Sequence, residues 1–307
     1  MLEANKCFYS KICGKLLGDG CFTRQKGRKP RFQFIHKAED FEWANYCFNE
    51  LKDFIPLNSP KYKQVNDTRI KRGFTECYYV QSRTNEIITQ LDRIWYPERV
   101  KQIPFPFKDS YLNEETLAWW YQDDGHLKEE NGIPRKIILS TDNFTPDENL
   151  QLINILRGKF HLHFSIDGQN RLILYDQPQI IYFNRLICPY LHSSMDRKII
   201  KFNERATKKF PRITTVHLPD NLLINKPTSE INQQLDKLPY LYEMIDYRES
   251  YLEFYNKKIR FLRNQQSKKT YQVKFNNKQW YYLDNIKQKT GLNYSQIVLI
   301  CFKFDLI

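Results

Sequence analysis

Two aspartates stand out by what precedes them. Asp19 lies at the end of ICGKLLGDG (residues 12–20) and Asp124 at the end of LAWWYQDDG (residues 117–125); each stretch is apolar, reads as a helix and stops at Asp-Gly, and the two are 105 residues apart. An isolated Asp-Gly is usually a turn, and Asp167-Gly168, between two strand-like runs, reads that way. Two copies at the spacing of a small domain need another account. A carboxylate at the C-terminal end of a helix faces the negative end of the helix dipole. Setting two such ends side by side adds like-charge repulsion. Divalent cations would neutralise the pair, because carboxylates, helix-end carbonyls and waters are hard oxygen ligands suited to Mg²⁺. Metals held there would polarise a phosphate and activate a water.

The elements around the aspartates repeat as well. After Gly20 come two strand-like runs around a basic turn, CFTRQKGRKPRFQFIHK; after Gly125 come two more, HLKEENGIPRKIILSTD, around Asn131-Gly132, a strong hairpin signal. A helix follows each: EDFEWANYCFNELKDF, then TPDENLQLINILRGKF, the latter with Thr145 as N-cap, Pro146 at the first position and acidic residues in the first turn. Two further strands are expected in each half, YKQVNDTRIKRGFTECYYVQS in the first and FHLHFSI with RLILY in the second. NEIITQLDRIW and QIIYFNRLI close the halves as helices. The pattern predicts an α/β fold of two αββαββα halves related by a pseudo-twofold axis, with a small strand-helix-helix appendage. Residues 1–105 form the first half, 106–205 the second, 206–265 a partly helical connector and 266–307 the strand-helix-helix segment.

The composition narrows the class of partner. The chain has 307 residues, 41% of them apolar, and 46 aromatics (5 Trp, 20 Tyr, 21 Phe), enough for a substantial core and too many for a disordered chain. Its net charge of +13 favours a polyanion. No stretch approaches the roughly 18 apolar residues of a membrane span, and MLEANKCFYS does not read as a secretory leader. Seven cysteines, an odd count without C-x-x-C, read as free thiols in a reducing compartment. The expected location is intracellular, in a bacterial cytoplasm or an organelle interior, with no membrane partner.

The two helices resemble the paired signature helices of LAGLIDADG homing endonucleases of the type that carries both motifs on one chain. Ile12 and Leu117 fall on the first motif position, Gly18 and Asp123 on the seventh, Asp19 and Asp124 on the eighth. IWYPERVKQIP and CPYLHSSMDRKI resemble the tracts that follow the halves in one subgroup, so the likeness spans about residues 7–203. It implies a site-specific double-strand DNA endonuclease that hydrolyses phosphodiesters at a long asymmetric target and promotes mobility of its host intron. The implied metal site is Asp19, Asp124, Gly18 and Asp123, filled by Mg²⁺ with Mn²⁺ as substitute. Lys101 and Lys198, 82 and 74 residues beyond their aspartates, would place a cation near the phosphate, with Gln102 the substitute if the register slips by one. His36 and Thr141 end the second strand of each half, where the family places a polar residue that organises water; Ser140 and Asp142 compete with Thr141. Two alternatives stay open: an intron RNA maturase on the same fold, with intron RNA as a further partner, and a non-catalytic DNA-binding regulator.

Double-stranded DNA is the expected partner, read by the polar faces of the strands. In RFQFIHK, Arg31 and Gln33 alternate with Phe32 and Phe34, so the polar pair faces outward. Arg and Gln suit guanine and adenine edges in the major groove. Arg24, Lys63, Arg69, Lys71, Arg135, His161, His163 and Arg171 are placed similarly. The tail resembles a ribbon-helix-helix DNA-binding segment: TYQVKFN as the ribbon with Gln272 and Lys274 outward, KQWYYLDNIKQKTG as the first helix, and NYSQIVLICFKF, capped by Asn293, as the second. QQSKK (265–269) reads as a linker before it. The apolar Leu283, Ile286, Ile297, Val298 and Ile300 must bury within the same chain, against residues 240–261 or TTVHLP near residue 214, for the expected monomer.

Overall fold

The computed structural model describes residues 2–105, 110–202, 211, 213–264 and 268–303. Residues 203–210, which straddle the expected end of the second half, and 265–267 of the expected linker lie outside them. The first half runs α1 (Leu2–Leu17), β1 (Cys21–Thr23), β2 (Arg31–Lys37), α2 (Phe41–Leu51), β3 (Lys61–Asn66), β4 (Phe74–Gln81) and α3 (Glu86–Trp95). The second runs α4 (Glu114–Asp124), β5 (Gly125–Glu130), β6 (Ile133–Leu139), α5 (Pro146–Phe160), β7 (Ser165–Ile166), β8 (Leu172–Leu174) and α6 (Gln177–Ile187). Each half holds a four-stranded antiparallel sheet, ordered β1-β2-β4-β3 and β5-β6-β8-β7. The fold is the expected α/β arrangement written twice.

Alternation sets the first sheet. Along β2, Phe32, Phe34 and His36 are buried while Arg31, Ile35 and Lys37 are exposed, and each buried Phe contributes about 1.5–3 kcal/mol. The register pairs Gln33 with Gln81, Ile35 with Tyr79 and Lys37 with Cys77, and Lys61 and Lys63 of β3 with Tyr79 and Cys77 of β4. Cross-strand partners share a face, so one broad surface carries all of these residues. In the second half Asn131 (φ 52°) and Gly132 (φ 69°) form the tight hairpin turn, and Thr145 caps α5 in a reciprocal box with Glu148.

One strand is shorter than its sequence suggests. FHLHFSI does not start as a strand: α5 continues to Phe160, because Leu152, Leu156 and Phe160 repeat every four residues and all bury. His161 then takes the left-handed conformation (φ 56°) that ends the helix, and only Ser165–Ile166 pairs in the sheet. His161 and His163 therefore lie on the connection after α5, not on a strand face.

The chain forms two compact units. One contains Met1–Lys128, Ile137–Leu174 and Ile187–Ile199; the other contains Glu129–Lys136, Tyr175–Leu186 and Ile200–Ile307. In the second unit, β9 (Thr214–Pro219) pairs antiparallel with β10 (Lys268–Val273), setting Thr215 opposite Gln272 and His217 opposite Thr270. Lys268 and Lys269, read as linker, are strand residues, because the pairing with Pro219 and Leu218 extends to them. The helices are α7 (Pro227–Gln234), α8 (Leu238–Asp246), α9 (Arg248–Lys257), α10 (Asn277–Thr290) and α11 (Tyr294–Phe302). The aromatic stretch breaks between α8 and α9, where Tyr247 is extended (ψ 127°). Asn276 and Asn293 cap α10 and α11, and Gly291 (φ 72°) ends α10. Leu283, Ile286, Ile297, Val298 and Ile300 are buried together with Val216, Leu218 and Val273 of the ribbon. Tyr182 of α6 stacks on Tyr255 of α9, with centroids 3.8 Å apart. Among the described residues no helix is long and apolar enough to cross a membrane.

Candidate active site

The two motif helices, α1 and α4, meet almost backbone to backbone. A Cβ on Gly14 would come within 2.6 Å of Trp119 Cβ and 2.7 Å of the Thr116 carbonyl, and one on Gly18 within 2.6 Å of Asp123 Cβ. Glycine is required at both positions by space. Ser10 and Thr116 tie the other end of the pair, with Thr116 Oγ1 donating to the Ser10 carbonyl at 3.0 Å. This contact brings the helix ends, and with them Asp19 and Asp124, into one region of the first unit.

Around Asp19 the site is a set of interlocked charges. His36 Nδ1 lies 3.2 Å from Asp19 Oδ2. Its other nitrogen, Nε2, is 2.8 Å from Lys15 Nζ, and Lys15 donates to Asp123 Oδ1 at 2.9 Å. The side chains of Lys15 and Asp123 are fully buried, whereas a third of the Asp19 side chain is open. Asp123 also accepts from Trp43 Nε1 at 2.9 Å and from the Asp19 backbone N–H at 3.2 Å. Burial opposes charge on Asp19, but the His36 hydrogen bond and the nearby lysines outweigh it and hold the carboxyl below its ordinary range. Burial likewise opposes charge on Lys15, and the Asp123 and Asp19 carboxylates reverse the effect, raising it.

Asp124 sits in the opposite environment. Burial, together with the carboxylates of Asp19 and Asp123, pushes it up to about 7. No described side chain donates a hydrogen bond to it. Its lysine neighbours serve the helix ends instead. Lys198 Nζ donates to the carbonyls of Tyr121 (3.1 Å), Gln122 (2.5 Å) and Asp123 (3.2 Å), the last turn of α4. Burial lowers Lys198 to about 8. Lys101 Nζ donates to the Gly20 carbonyl at 3.1 Å, and burial lowers it too. Each lysine thus sits at the end of its own half's motif helix and offsets that helix's negative pole. Gln102, the alternative to Lys101, uses its backbone N–H to bond the Trp95 carbonyl at 2.8 Å.

Ser140, the residue before Thr141, donates its backbone N–H to the Asp124 carbonyl at 3.0 Å, but the Thr141 hydroxyl is engaged elsewhere. Thr141 is buried, donates to the Asn170 carbonyl at 3.1 Å and accepts from the Leu172 N–H at 3.2 Å, so its hydroxyl is spent on shaping the β7–β8 loop. Asp123 differs as well from the expected ligand: both carboxylate oxygens are taken by protein donors, and its carbonyl by Lys198. Asp19, His36 and Asp123 nevertheless form a compact group of donor atoms within 4.8 Å of one another.

Of the residues expected to face DNA, Arg31, Gln33 and Lys63 lie on one face of the first sheet. Gln33 accepts from Gln81 Nε2 at 3.0 Å, and Arg31 reaches Gln81 at 3.4 Å. Arg69 and Lys71 are exposed in the β3–β4 turn, Arg69 paired with Asp67 at 2.8 Å. Arg24 contacts the buried Asp92, Arg135 pairs with Glu130 at 2.8 Å, and Arg171 with Asp167 at 2.7 Å. Gln272 and Lys274 are exposed. Sequence reasoning missed Lys37, Lys61 and Gln81 on the same face, and Lys15 and Trp43 beneath the site. The signal for Lys15 was present: a lone cation in the apolar face of ICGKLLGDG.

The profile of the LAGLIDADG DNA endonuclease family matches residues 9–185. An uncharacterized protein of Methanocaldococcus jannaschii is 31% identical over 195 residues, which are 61% of this chain and 71% of that protein. A probable intron-encoded endonuclease of Wickerhamomyces canadensis is 25% identical over 62% of this chain and 82% of its own length. Among solved structures, the homing endonuclease I-WcaI bound to its DNA recognition sequence superposes with a TM-score of 0.57 at 22% identity, over 65% of this chain and 88% of that one.

Proposed function

The chain belongs to the LAGLIDADG DNA endonuclease family, and from that premise we propose that it is a metal-dependent, site-specific endonuclease that cuts both strands of duplex DNA and promotes mobility of its host intron. The observation that carries this reading is the pair of acidic helix ends: Asp19 and Asp124 at the tips of two helices in backbone contact. The donor set suits a hard divalent cation. Burial first, and then the neighbouring carboxylates of Asp19 and Asp123, raise Asp124 to about 7, and Asp19 keeps one oxygen free of the His36 contact. Asp19 and Asp124 would hold the metal, Mg²⁺ or Mn²⁺. When bound, it supplies a polarised phosphate and an activated water.

The chain's own groups do the rest. Lys198 and Lys101 neutralise the helix ends and favour the charge that develops on a phosphate there. The face of the first sheet positions the duplex: Lys37, Lys61 and Lys63 offer charge to phosphates, and Arg31, Gln33 and Gln81 offer donors and acceptors to base edges. Arg24, Arg69, Lys71, Arg135, Arg171, His161 and His163 add contacts where their present partners release them. The β9–β10 ribbon resembles the reading strand pair of ribbon-helix-helix proteins. Both of its strands come from one chain, which supports a monomer that extends its footprint through Gln272 and Lys274. Retention of both aspartates favours the nuclease over a splicing factor or a regulator.

The test uses the genomic sequence that flanks the gene, joined as the uninterrupted locus and cloned in a plasmid. Linearisation that requires Mg²⁺ or Mn²⁺ is expected. Binding without cutting under any divalent cation would overturn the reading.

A further inference from the structure

The buried Lys15 has no place in the phosphate chemistry, yet it lies one hydrogen bond from a group that does. Its ammonium carries donors only, so where it meets His36 Nε2 at 2.8 Å the imidazole nitrogen must accept. A neutral imidazole that accepts at Nε2 carries its proton on Nδ1. That is the nitrogen 3.2 Å from Asp19 Oδ2. We propose that Lys15 locks His36 in the Nδ1–H tautomer, so that His36 donates to Asp19 Oδ2 and turns the other carboxylate oxygen, Oδ1, toward the cation; Lys15 and His36 are positioning residues for Asp19. The inference rests on Asp19 being a ligand, as read above.

Asp123 keeps the device in register. Its Oδ1 accepts from Lys15 at 2.9 Å and from Trp43 Nε1 at 2.9 Å, and its Oδ2 accepts from the Asp19 backbone N–H at 3.2 Å. One carboxylate therefore fixes both ends of the chain of hydrogen bonds: the ammonium that sets the tautomer and the backbone of the aspartate that accepts from His36. Trp43 and Phe34 flank Lys15, with ring centroids 5.6 and 4.3 Å from Nζ. The buried Cys47 thiol also lies within hydrogen-bonding reach of the ammonium, so Lys15 is directed toward His36, Asp123 and that thiol. The other half has no counterpart, since Trp120 stands at the motif position of Lys15 and Thr141 is turned to the Asn170 carbonyl. Hydrogen-bonded partners of metal-binding side chains typically tune affinity by about 10- to 100-fold.

The test reads the imidazole directly, in the full chain without DNA. Nitrogen-15 NMR of wild-type His36 should show the Nδ1–H form; an Nε2–H or doubly protonated ring near neutral pH would overturn the proposal whether or not the protein cuts DNA. The variant Lys15→Met/Asp123→Asn removes the chain of hydrogen bonds without leaving a single buried charge. It should lose the Nδ1–H preference and bind Ca²⁺ about tenfold more weakly by calorimetry. His36→Asn, whose amide stands near the Nδ1 position, should keep most of the Ca²⁺ affinity, while His36→Gln, which mimics Nε2, should not. An unchanged tautomer and affinity in the double variant, or equal effects of Asn and Gln, would sink the idea. Should the double variant not fold, the wild-type spectrum and the Asn–Gln contrast decide.

Discussion

The two halves place the same residue, an aspartate before glycine, at the same point of the same fold, and surround it in opposite ways. Asp19 is hydrogen-bonded by His36, backed by a buried lysine and held ionised. Asp124 has two carboxylates for neighbours, no described donor to its carboxylate and a proton affinity raised toward neutrality by burial and those carboxylates. The difference traces to three substitutions between the motifs: Lys15 against Trp120, Gly18 against Asp123, and His36 against Thr141. A duplicated fold supplies the scaffold twice, but each copy assigns its own electrostatic environment. One carboxylate is held by a hydrogen-bond donor. The other is not.

The sharpest way to break this comparison is to remove each acid in turn. Asp19→Asn and Asp124→Asn should each abolish double-strand cleavage while DNA binding stays within a few-fold, because the sheets are untouched. Plasmid linearisation by either variant would show that the halves do not share one chemistry. A packing test follows. Gly14→Ala places a Cβ 2.6 Å from Trp119 Cβ and should cost about 1–3 kcal/mol in thermal unfolding. The open helical site Gly158, with nothing within 4 Å of an added Cβ, should gain roughly 0.5–1 kcal/mol from the same change.

The acid–base contrast predicts a pH dependence. Between about pH 4 and about 7 the native state keeps a proton on Asp124 that the unfolded chain has lost. Stability of the metal-free protein should therefore fall as pH rises through that window. Asp124→Asn should flatten the fall and raise stability near pH 7 by about 1–2 kcal/mol. Asp19 is shifted the other way, so its stabilising share is present above the ordinary carboxylate range and is lost in strong acid. Urea melts at pH 5 and 7.5 read the Asp124 share, and a further melt in strong acid reads that of Asp19. The smallest effect concerns the sheets. Replacing Lys61 and Lys63 by Gln should reduce the salt dependence of DNA binding, measured by anisotropy, by about 0.9 per lost phosphate contact. Replacing Arg135, held by Glu130 at 2.8 Å, should change it less.

The fold was legible because its signals are local. Apolar periodicity, the Thr145 cap and the Asn131-Gly132 turn each act within a few residues, and all point to the elements that form. FHLHFSI was misread because its alternation competes with a four-residue repeat begun upstream at Leu152, and the longer helix wins. The linker reading of Lys268 and Lys269 failed for a different reason: their strand exists only through pairing with residues about 50 positions earlier. The aspartates were legible because they repeat. Lys15 was not, since its partner Asp123 lies 108 residues away, and Thr141 matched His36 in position while its hydroxyl bonds a loop that no motif announces.

The Lys15–Asp123 pair also has a meaning for ancestry and engineering. The cation sits on one motif helix and the anion on the other, at positions that do not correspond. Two copies of the first half, packed as a homodimer, would bury Lys15 opposite Gly18, without the carboxylate that accepts from it here. Two copies of the second would bury Asp123 opposite Trp120, without the ammonium that donates to its carboxylate here. A single unmatched buried charge costs about 3–5 kcal/mol, and each homodimer would contain two. Expressed as separate fragments, the halves should therefore reject their own kind and accept only each other, which makes this pair of residues a mating code as much as a structural contact.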